Sequence, residues 1–232
     1  MTVLPDELFS NLIWTALETE HAHFSITRAL ARRYAPDVSP FASIAEPSRA
    51  ALDDLAALLT TPADAVWLFR ASLPAHPELK GLGSLPCFRM TFPADLPVPE
   101  HTRNDIVQLT AADADDMVAL TNAAFPGFFR RRTVLMGDYF GIRDSTGRLI
   151  SMCGERIAVP GCAEASGLCT HPDHRGRGYG EALLWWVVRH QREADVMNFC
   201  HVSTSNAPAL ALYRRMGFVI VGEVPLIRVA HP

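Results

Sequence analysis

Long apolar runs, a strong net charge and a basic leader are all missing from this sequence. No apolar run approaches the roughly 20 residues that a membrane-spanning helix needs, and residues 1–7 lack the basic segment of a secretory signal peptide. The net charge is −4, so no overall field favours nucleic acid. With 49% hydrophobic and 20% charged residues, the composition excludes a disordered chain. We therefore expect a cytoplasmic globular protein with neither a membrane nor a nucleic-acid partner.

Cysteine pairs with the spacing of a disulfide framework or a metal site are also missing. The five cysteines are Cys87, Cys153, Cys162, Cys169 and Cys200. Their number is odd and none of them forms a Cys-x-x-Cys pair. Four of the five lie in predicted strands or directly beside one, where a reduced cysteine behaves as a small hydrophobe. His21 and His23 are two residues apart, which is the wrong spacing for one helix face. We therefore predict reduced core thiols and no bound metal.

Two familiar phosphate-binding loops are excluded by single residues. A P-loop needs Gly-Lys followed by Ser or Thr, and the chain's one lysine is Lys80. The dinucleotide fingerprint needs Gly-x-Gly-x-x-Gly, but Glu181 stands three residues after Gly178. Three alternating glycines nevertheless follow a strand-like run and precede a helix-like run, between residues 170 and 184. Such a turn can gather several N–H groups at the positive end of a helix dipole, which suits a phosphate.

The order of elements is clearest after residue 105. Strands are predicted near residues 106–109, 139–143, 148–157, 163–170, 197–203 and 219–224, with helices over 111–124, 182–193 and 207–216. Before residue 100, the pattern predicts helices over 6–33 and 48–59 and a short strand at 66–69, and Pro and Gly are frequent over 74–99. We therefore expect two regions: residues 1–100, of unknown role or a decayed copy of the second half, and a domain over residues 101–232.

Two motifs together resemble those of the GNAT superfamily of N-acetyltransferases. The loop Arg175-x-x-Gly178-x-Gly180 resembles the family's acetyl-CoA pyrophosphate loop. The segment Asn206-x-x-Ala209-x-x-Leu212-Tyr213-x-x-x-Gly217-Phe218 resembles its C-terminal signature. The resemblance covers roughly residues 105–225 and implies an α/β GNAT fold: a central mixed, mostly antiparallel sheet flanked by helices, here with a largely helical N-terminal extension.

The resemblance also implies a set of residues that bind acetyl-CoA. The strand before the loop would pair with the pantetheine arm through its main chain, as an added strand does at a sheet edge. The loop amides would hold the pyrophosphate, and Arg175 could add charge. The residues implied are Leu168, Cys169, Thr170, Arg175, Gly176, Arg177, Gly178, Tyr179, Gly180 and Asn206.

Catalytic roles follow from what acetyl transfer to an amine requires. Tyr213 is the candidate donor to the leaving sulfur, because a phenol with a pKa near ~10 is protonated at neutral pH. Glu164 is the candidate base for the amine proton, with Glu155 as an alternative. Cys169 is a minor candidate for an acyl-carrying nucleophile.

The aromatic side chains expected to wall the acceptor pocket are Phe125, Phe128, Phe129 and Tyr139. We expect an N-acetyltransferase that moves an acetyl group to a primary amine of a small molecule or peptide, by direct attack in a ternary complex. The alternative is a catalytically silent acyl-CoA-binding sensor. A nucleic-acid role for Arg130–Arg132 is disfavoured by the overall charge. The protein is expected to be a monomer or homodimer.

Overall fold

The residues that the structure describes form one large sheet, one small sheet and six α-helices. A computed structural model describes residues 5–61, 64–100, 103–124 and 126–232. The helices in these residues are α1 (Asp6–Ser10), α2 (Leu12–Glu18), α3 (Arg49–Leu58), α4 (Ala114–Ala124), α5 (Tyr179–Glu193) and α6 (Ala207–Arg215). The strands are β1 (Ser25–Arg28), β2 (Ala31–Tyr34), β3 (Ala42–Ile44), β4 (Ala65–Leu68), β5 (Lys80–Thr91), β6 (Ile106–Leu109), β7 (Tyr139–Arg143), β8 (Leu149–Val159), β9 (Cys162–Thr170), β10 (Met197–Ser203) and β11 (Val219–Ala230).

The large sheet is mixed and mostly antiparallel, as predicted. Its eight strands follow the order β4-β11-β5-β10-β9-β8-β7-β6. Neighbouring strands are antiparallel except β9 and β10, which run parallel. Two predicted helix starts are also confirmed: the Ser48 hydroxyl accepts from the Ala51 N–H, and the Asn206 side chain accepts from the Ala209 N–H.

The two parallel strands separate part-way along their length. Their register pairs Cys162, Ala163 and Glu164 of β9 with Met197, Asn198 and Phe199 of β10. Beyond this point β10 pairs with β5 from Cys200 to Ser203, while β9 continues along β8 to Thr170. A gap therefore opens in the sheet between the carboxyl-terminal halves of β9 and β10.

The segment before residue 100 differs from the predicted helical extension. It holds α1, α2 and α3, but also the small antiparallel sheet of β1, β2 and β3. It further contributes β4 and β5 to the large sheet, where β5 lies between β10 and β11. The large sheet therefore includes strands from both sides of the expected boundary near residue 100.

Helices cover both faces of the large sheet. On one face, Leu183, Leu184 and Val187 of α5 pack with Tyr213 and with buried strand residues such as Cys200. On the other, α1 and α2 pack against strand residues such as Phe199 and Ile157, with α4 beside them. Among the described residues, no helix is both long and apolar enough to cross a membrane.

Candidate functional site

The glycine loop presents a row of free backbone N–H groups at the start of α5. No protein acceptor is found for the amides of the five residues 176–180 in the part of the chain that the structure describes. The Arg175 N–H is different, because it donates to the carbonyl of Pro172 at 3.3 Å. The free amides lie at the positive end of a 15-residue helix. That arrangement suits a phosphate or diphosphate.

The loop's path requires glycine at two places. Gly176 and Gly178 have φ values of 75° and 77°, in the left-handed region that other residues rarely adopt. Gly180 lies against β9, since a Cβ there would sit 3.6 Å from Leu168 Cδ1 and 3.7 Å from Thr170 Oγ1. The loop is therefore both open at its amides and fixed against the strand that precedes it.

The parallel strands bring the two predicted motifs to one edge of the sheet. Because β9 and β10 run parallel, their carboxyl ends lie at the same edge. The glycine loop follows β9 there, and Asn206, which begins α6, follows β10. The gap between the strands runs back from this edge toward Glu164. Among the described residues, no strand pairs with β9 on the β10 side after Glu164. The main chain at Leu168, Cys169 and Thr170 belongs to that unpaired edge.

Tyr213 of α6 reaches the closed end of this gap. It is 5% exposed and packs edge-on against Phe218, with ring centroids 5.0 Å apart. It belongs to the same buried cluster as Cys200, the first β10 residue beyond the last pair with β9. Burial raises the pKa of Tyr213 well above its usual value, and the neighbouring Cys200 acts in the same direction. The phenol is therefore held neutral and ready to donate.

Glu164 is the centre of a buried ion-pair network. Arg156 donates to its two carboxylate oxygens at 3.0 and 2.9 Å, and His201 Nδ1 donates to one of them at 2.9 Å. Arg89 donates in turn to His201 Nε2 at 3.2 Å. Burial opposes the charge of Glu164, but Arg156 and His201 outweigh it and lower the pKa of Glu164 to about 2.

This environment disfavours the predicted role of Glu164 as a proton acceptor. Its side chain is 1% exposed and its oxygens are already hydrogen-bonded. A carboxylate with so low a pKa has little affinity for a proton from an amine. The alternative, Glu155, is half-buried and accepts from the Asp138 N–H at 3.3 Å. Sequence reasoning missed Arg156, His201 and Arg89, since they lie on three separate strands and only the fold brings them together.

Cysteine chemistry is disfavoured at the same site. All five cysteines are buried and free, which confirms the expectation of reduced core thiols. Burial raises the pKa of Cys169 to about 12. Since the thiolate is the nucleophile, Cys169 is poorly suited to carry an acyl group.

The predicted acceptor wall is divided between the core and a half-buried cluster. Phe129 and Tyr139 are buried and pack edge-on, with centroids 5.5 Å apart. The Tyr139 ring packs directly on Gly154, where an added Cβ would lie 2.4 Å from the ring. It also lies close to Gly167 of β9. Its hydroxyl is buried and has no hydrogen-bond partner among the described residues. Phe128 is half-buried, and Phe125 lies outside the described residues.

One trio of side chains has the composition of a metal site. Ligand atoms of Asp138, Glu155 and His190 lie within 4.8 Å of one another. Asp138 and His190 already hydrogen-bond to each other at 2.8 Å, which accounts for their proximity. The absence of a metal stays a prediction. A cavity of about 370 Å³ between residues 72–84 and β11 contains none of the predicted site residues in its lining.

Comparison with known proteins identifies this arrangement. The sequence model of the acetyltransferase (GNAT) family matches residues 110–218, which include the loop and the segment from Asn206 to Phe218. A crystal structure from Novosphingobium aromaticivorans DSM 12444, described as an acetyltransferase from the GNAT family, is 30% identical with a TM-score of 0.87. The match covers 97% of this chain and 98% of that one. A GCN5-related N-acetyltransferase from Kribbella flavida, 16% identical with a TM-score of 0.62 over 100% and 97% of the two chains, shares the fold.

Curated relatives match only the second half of the chain. A mycothiol acetyltransferase of Clavibacter michiganensis subsp. michiganensis is 36% identical over 128 residues, and that of Clavibacter sepedonicus is 35% identical. Each match covers 47% of this chain and 40% of the relative. The chain thus spans less than half the length of the curated relatives it matches.

Proposed function

The chain belongs to the GNAT family of acetyltransferases, and from that premise we propose that it moves an acetyl group from acetyl-CoA to a primary amine. The transfer occurs by direct attack in a ternary complex. The observation that carries the proposal is the row of five free amides at the start of α5 beside an unpaired strand edge. The amides suit a diphosphate and the strand edge suits a peptide-like arm.

The residues present fit acetyl-CoA on four counts. The amides of residues 176–180 would hold its diphosphate, and the main chain of residues 168–170 would hold its arm. Arg175, exposed at the start of the loop, would add positive charge. The unpaired Tyr139 hydroxyl is a buried polar group that still needs a partner near β9, and a polar atom of the bound substrates would supply one. When bound, acetyl-CoA supplies a thioester with a good leaving group.

Tyr213 acts on the leaving sulfur. Its pKa lies well above the ordinary value of ~10, whereas a free thiol titrates near ~8.5. The phenol therefore donates a hydrogen bond to the developing thiolate more readily than it gives up its proton.

Glu164 positions groups rather than accepting a proton. Its carboxylate fixes the guanidinium of Arg156 and the ring of His201 at the point where β9 and β10 separate. The amine proton then leaves through solvent that enters with the acceptor. We further propose a cytoplasmic location, since five free thiols are typical of a reducing compartment, and no nucleic-acid partner.

The test compares Tyr213→Phe with the parent protein. Phenylalanine keeps the ring contact with Phe218 and removes only the hydroxyl, so coenzyme A affinity should be unchanged while turnover falls about tenfold or more. Turnover is followed as coenzyme A thiol released with a panel of primary amines, and affinity by calorimetry. A parent that binds coenzyme A but acetylates no amine would favour the silent binding module. Unchanged turnover in Tyr213→Phe would refute the role of the hydroxyl.

A further inference from the structure

The three consecutive arginines of the sequence have separate environments in the fold. Arg131 pairs with Asp115 at 3.2 Å, and Arg132 pairs with Asp37 at 3.3 Å. Arg130 bonds only to main-chain carbonyls, those of residues 127 and 129, and pairs with no carboxylate among the described residues. One of the three arginines is therefore left with an uncompensated charge.

A second arginine without a carboxylate partner among the described residues, Arg228, lies over the ring of Trp67, which contacts Phe128, two residues before Arg130. Arg228 belongs to β11 and holds its guanidinium 5.9 Å from the centroid of that ring. Arg130 is half-buried, and burial together with the positive charge of Arg228 lowers the pKa of Arg130. Neither guanidinium has a carboxylate to balance its charge among the described residues, and a bound anion would supply that balance.

Aromatic contacts connect these arginines to the gap in the sheet. The ring of Trp67 stacks on Phe128 with centroids 5.4 Å apart and planes tilted by 31°. Phe128 in turn lies under the guanidinium of Arg156, 6.0 Å from its ring centroid. Arg156 holds Glu164, where β9 and β10 begin to separate. A half-buried aromatic surface therefore leads from the proposed reaction site to the two arginines.

We propose that the acceptor carries a carboxylate, which binds between the guanidinium groups of Arg130 and Arg228 while its apolar part lies on Trp67 and Phe128. The inference rests on the proposed function and names its substrate class: an amine separated from an acidic group by an apolar spacer. Guanidinium groups recognise carboxylates through paired hydrogen bonds. A nucleic-acid backbone is a poorer occupant, because Arg131 and Arg132 already have acidic partners and the net charge is −4.

The first test measures binding without catalysis. Phenylacetate and its neutral analogue phenylacetamide are compared by ligand-observed NMR on the full chain. We expect phenylacetate to bind about tenfold more tightly, and the difference to disappear in Arg130→Gln and in Arg228→Gln, since a hydrogen bond to a charged group is worth about a factor of ten or more. Arg131→Gln is the matched control, because Arg131 adjoins Arg130 but pairs with Asp115.

Arg130→Lys keeps the charge and should retain part of the preference, which separates recognition from a folding defect. Equal binding of the acid and the amide, absence of binding by phenylacetate, or an equal loss in Arg131→Gln would overturn the proposal.

The second test uses turnover. With acetyl-CoA, 4-(aminomethyl)phenylacetic acid should have a kcat/KM about tenfold or more above that of its carboxamide. Arg130→Gln should remove the difference by lowering the value for the acid alone. An active parent that uses acid and amide equally would overturn the acidic acceptor and leave the acetyltransferase proposal standing. A parent that does not bind coenzyme A would instead overturn the proposed function, while the phenylacetate experiment still decides the anion site.

Discussion

Gly178 connects the conformation of the loop with its proposed ligand. Its φ is 77°, and a Cβ added there would meet no atom within 4 Å. In Gly178→Ala the left-handed backbone costs about 1–2 kcal/mol of stability, and each kcal/mol lowers the Tm of a chain of this size by about 2–4 °C. The added methyl group lies in open space beside the free amides. Loss of one hydrogen bond to a charged phosphate, about 1.5–3 kcal/mol, lowers coenzyme A affinity by about 10- to 150-fold.

The turn between β8 and β9 offers a matched control. Gly161 has a φ of 72°, and a Cβ there would also meet nothing within 4 Å, but it lies at the opposite end of β9 from the loop. Gly161→Ala should lose similar stability in chemical denaturation and keep full coenzyme A affinity in calorimetry. If Gly178→Ala also keeps full affinity, or if both variants lose it equally, the amide site is refuted.

Two further variants test the groups around the gap. Glu164→Gln should lower the free energy of unfolding by about 3–5 kcal/mol, because it leaves the Arg156 guanidinium uncompensated. Glu155→Gln should cost much less. A near-neutral effect of Glu164→Gln would contradict the role of this ion pair. The pKa of Glu164 is lowered from 4.5 to about 2 in the folded state. Its contribution to the free energy of unfolding is therefore fully present above about pH 4.5 and is lost as the pH falls toward 2. Glu164→Gln should remove this pH dependence of unfolding. Cys169→Ala should retain turnover and sequential kinetics, and ping-pong kinetics in the parent would contradict the direct-attack mechanism.

Strand β5 shows where sequence patterns were insufficient for the fold. Gly and Pro are frequent over residues 74–99, so the pattern predicts a domain boundary near residue 100 and no strand in this segment, yet β5 is an interior strand of the large sheet. The Pro86 carbonyl faces β10 and accepts from the Thr204 N–H, just beyond the last registered pair of β5 with β10. The missing N–H of Pro86 lies on that same side, at the end of the pairing, and is therefore tolerated. Its partner Pro225 on β11 likewise lies just outside the pairing with β4. Neither missing N–H removes a bond between β5 and β11.

The sequence predicted only those parts of the site whose residues lie close together in the chain. The loop and the capped helix from Asn206 each occupy a short segment, so spacing alone predicts them. The partners of Glu164, and the contacts of Trp67 with Arg228 and Phe128, join residues far apart in the chain, and only the assembled fold brings them together. For the same reason, the sequence could suggest Glu164 as a base but not reveal the ion pairs that lower its pKa.

The most direct test of the amide site is a titration of the ¹⁵N-labelled protein with coenzyme A, followed by the backbone amide resonances. The amides of residues 176–180 should shift most, with smaller changes along residues 168–170. Binding that leaves the loop amides unshifted, or no binding at all, would refute the amide site.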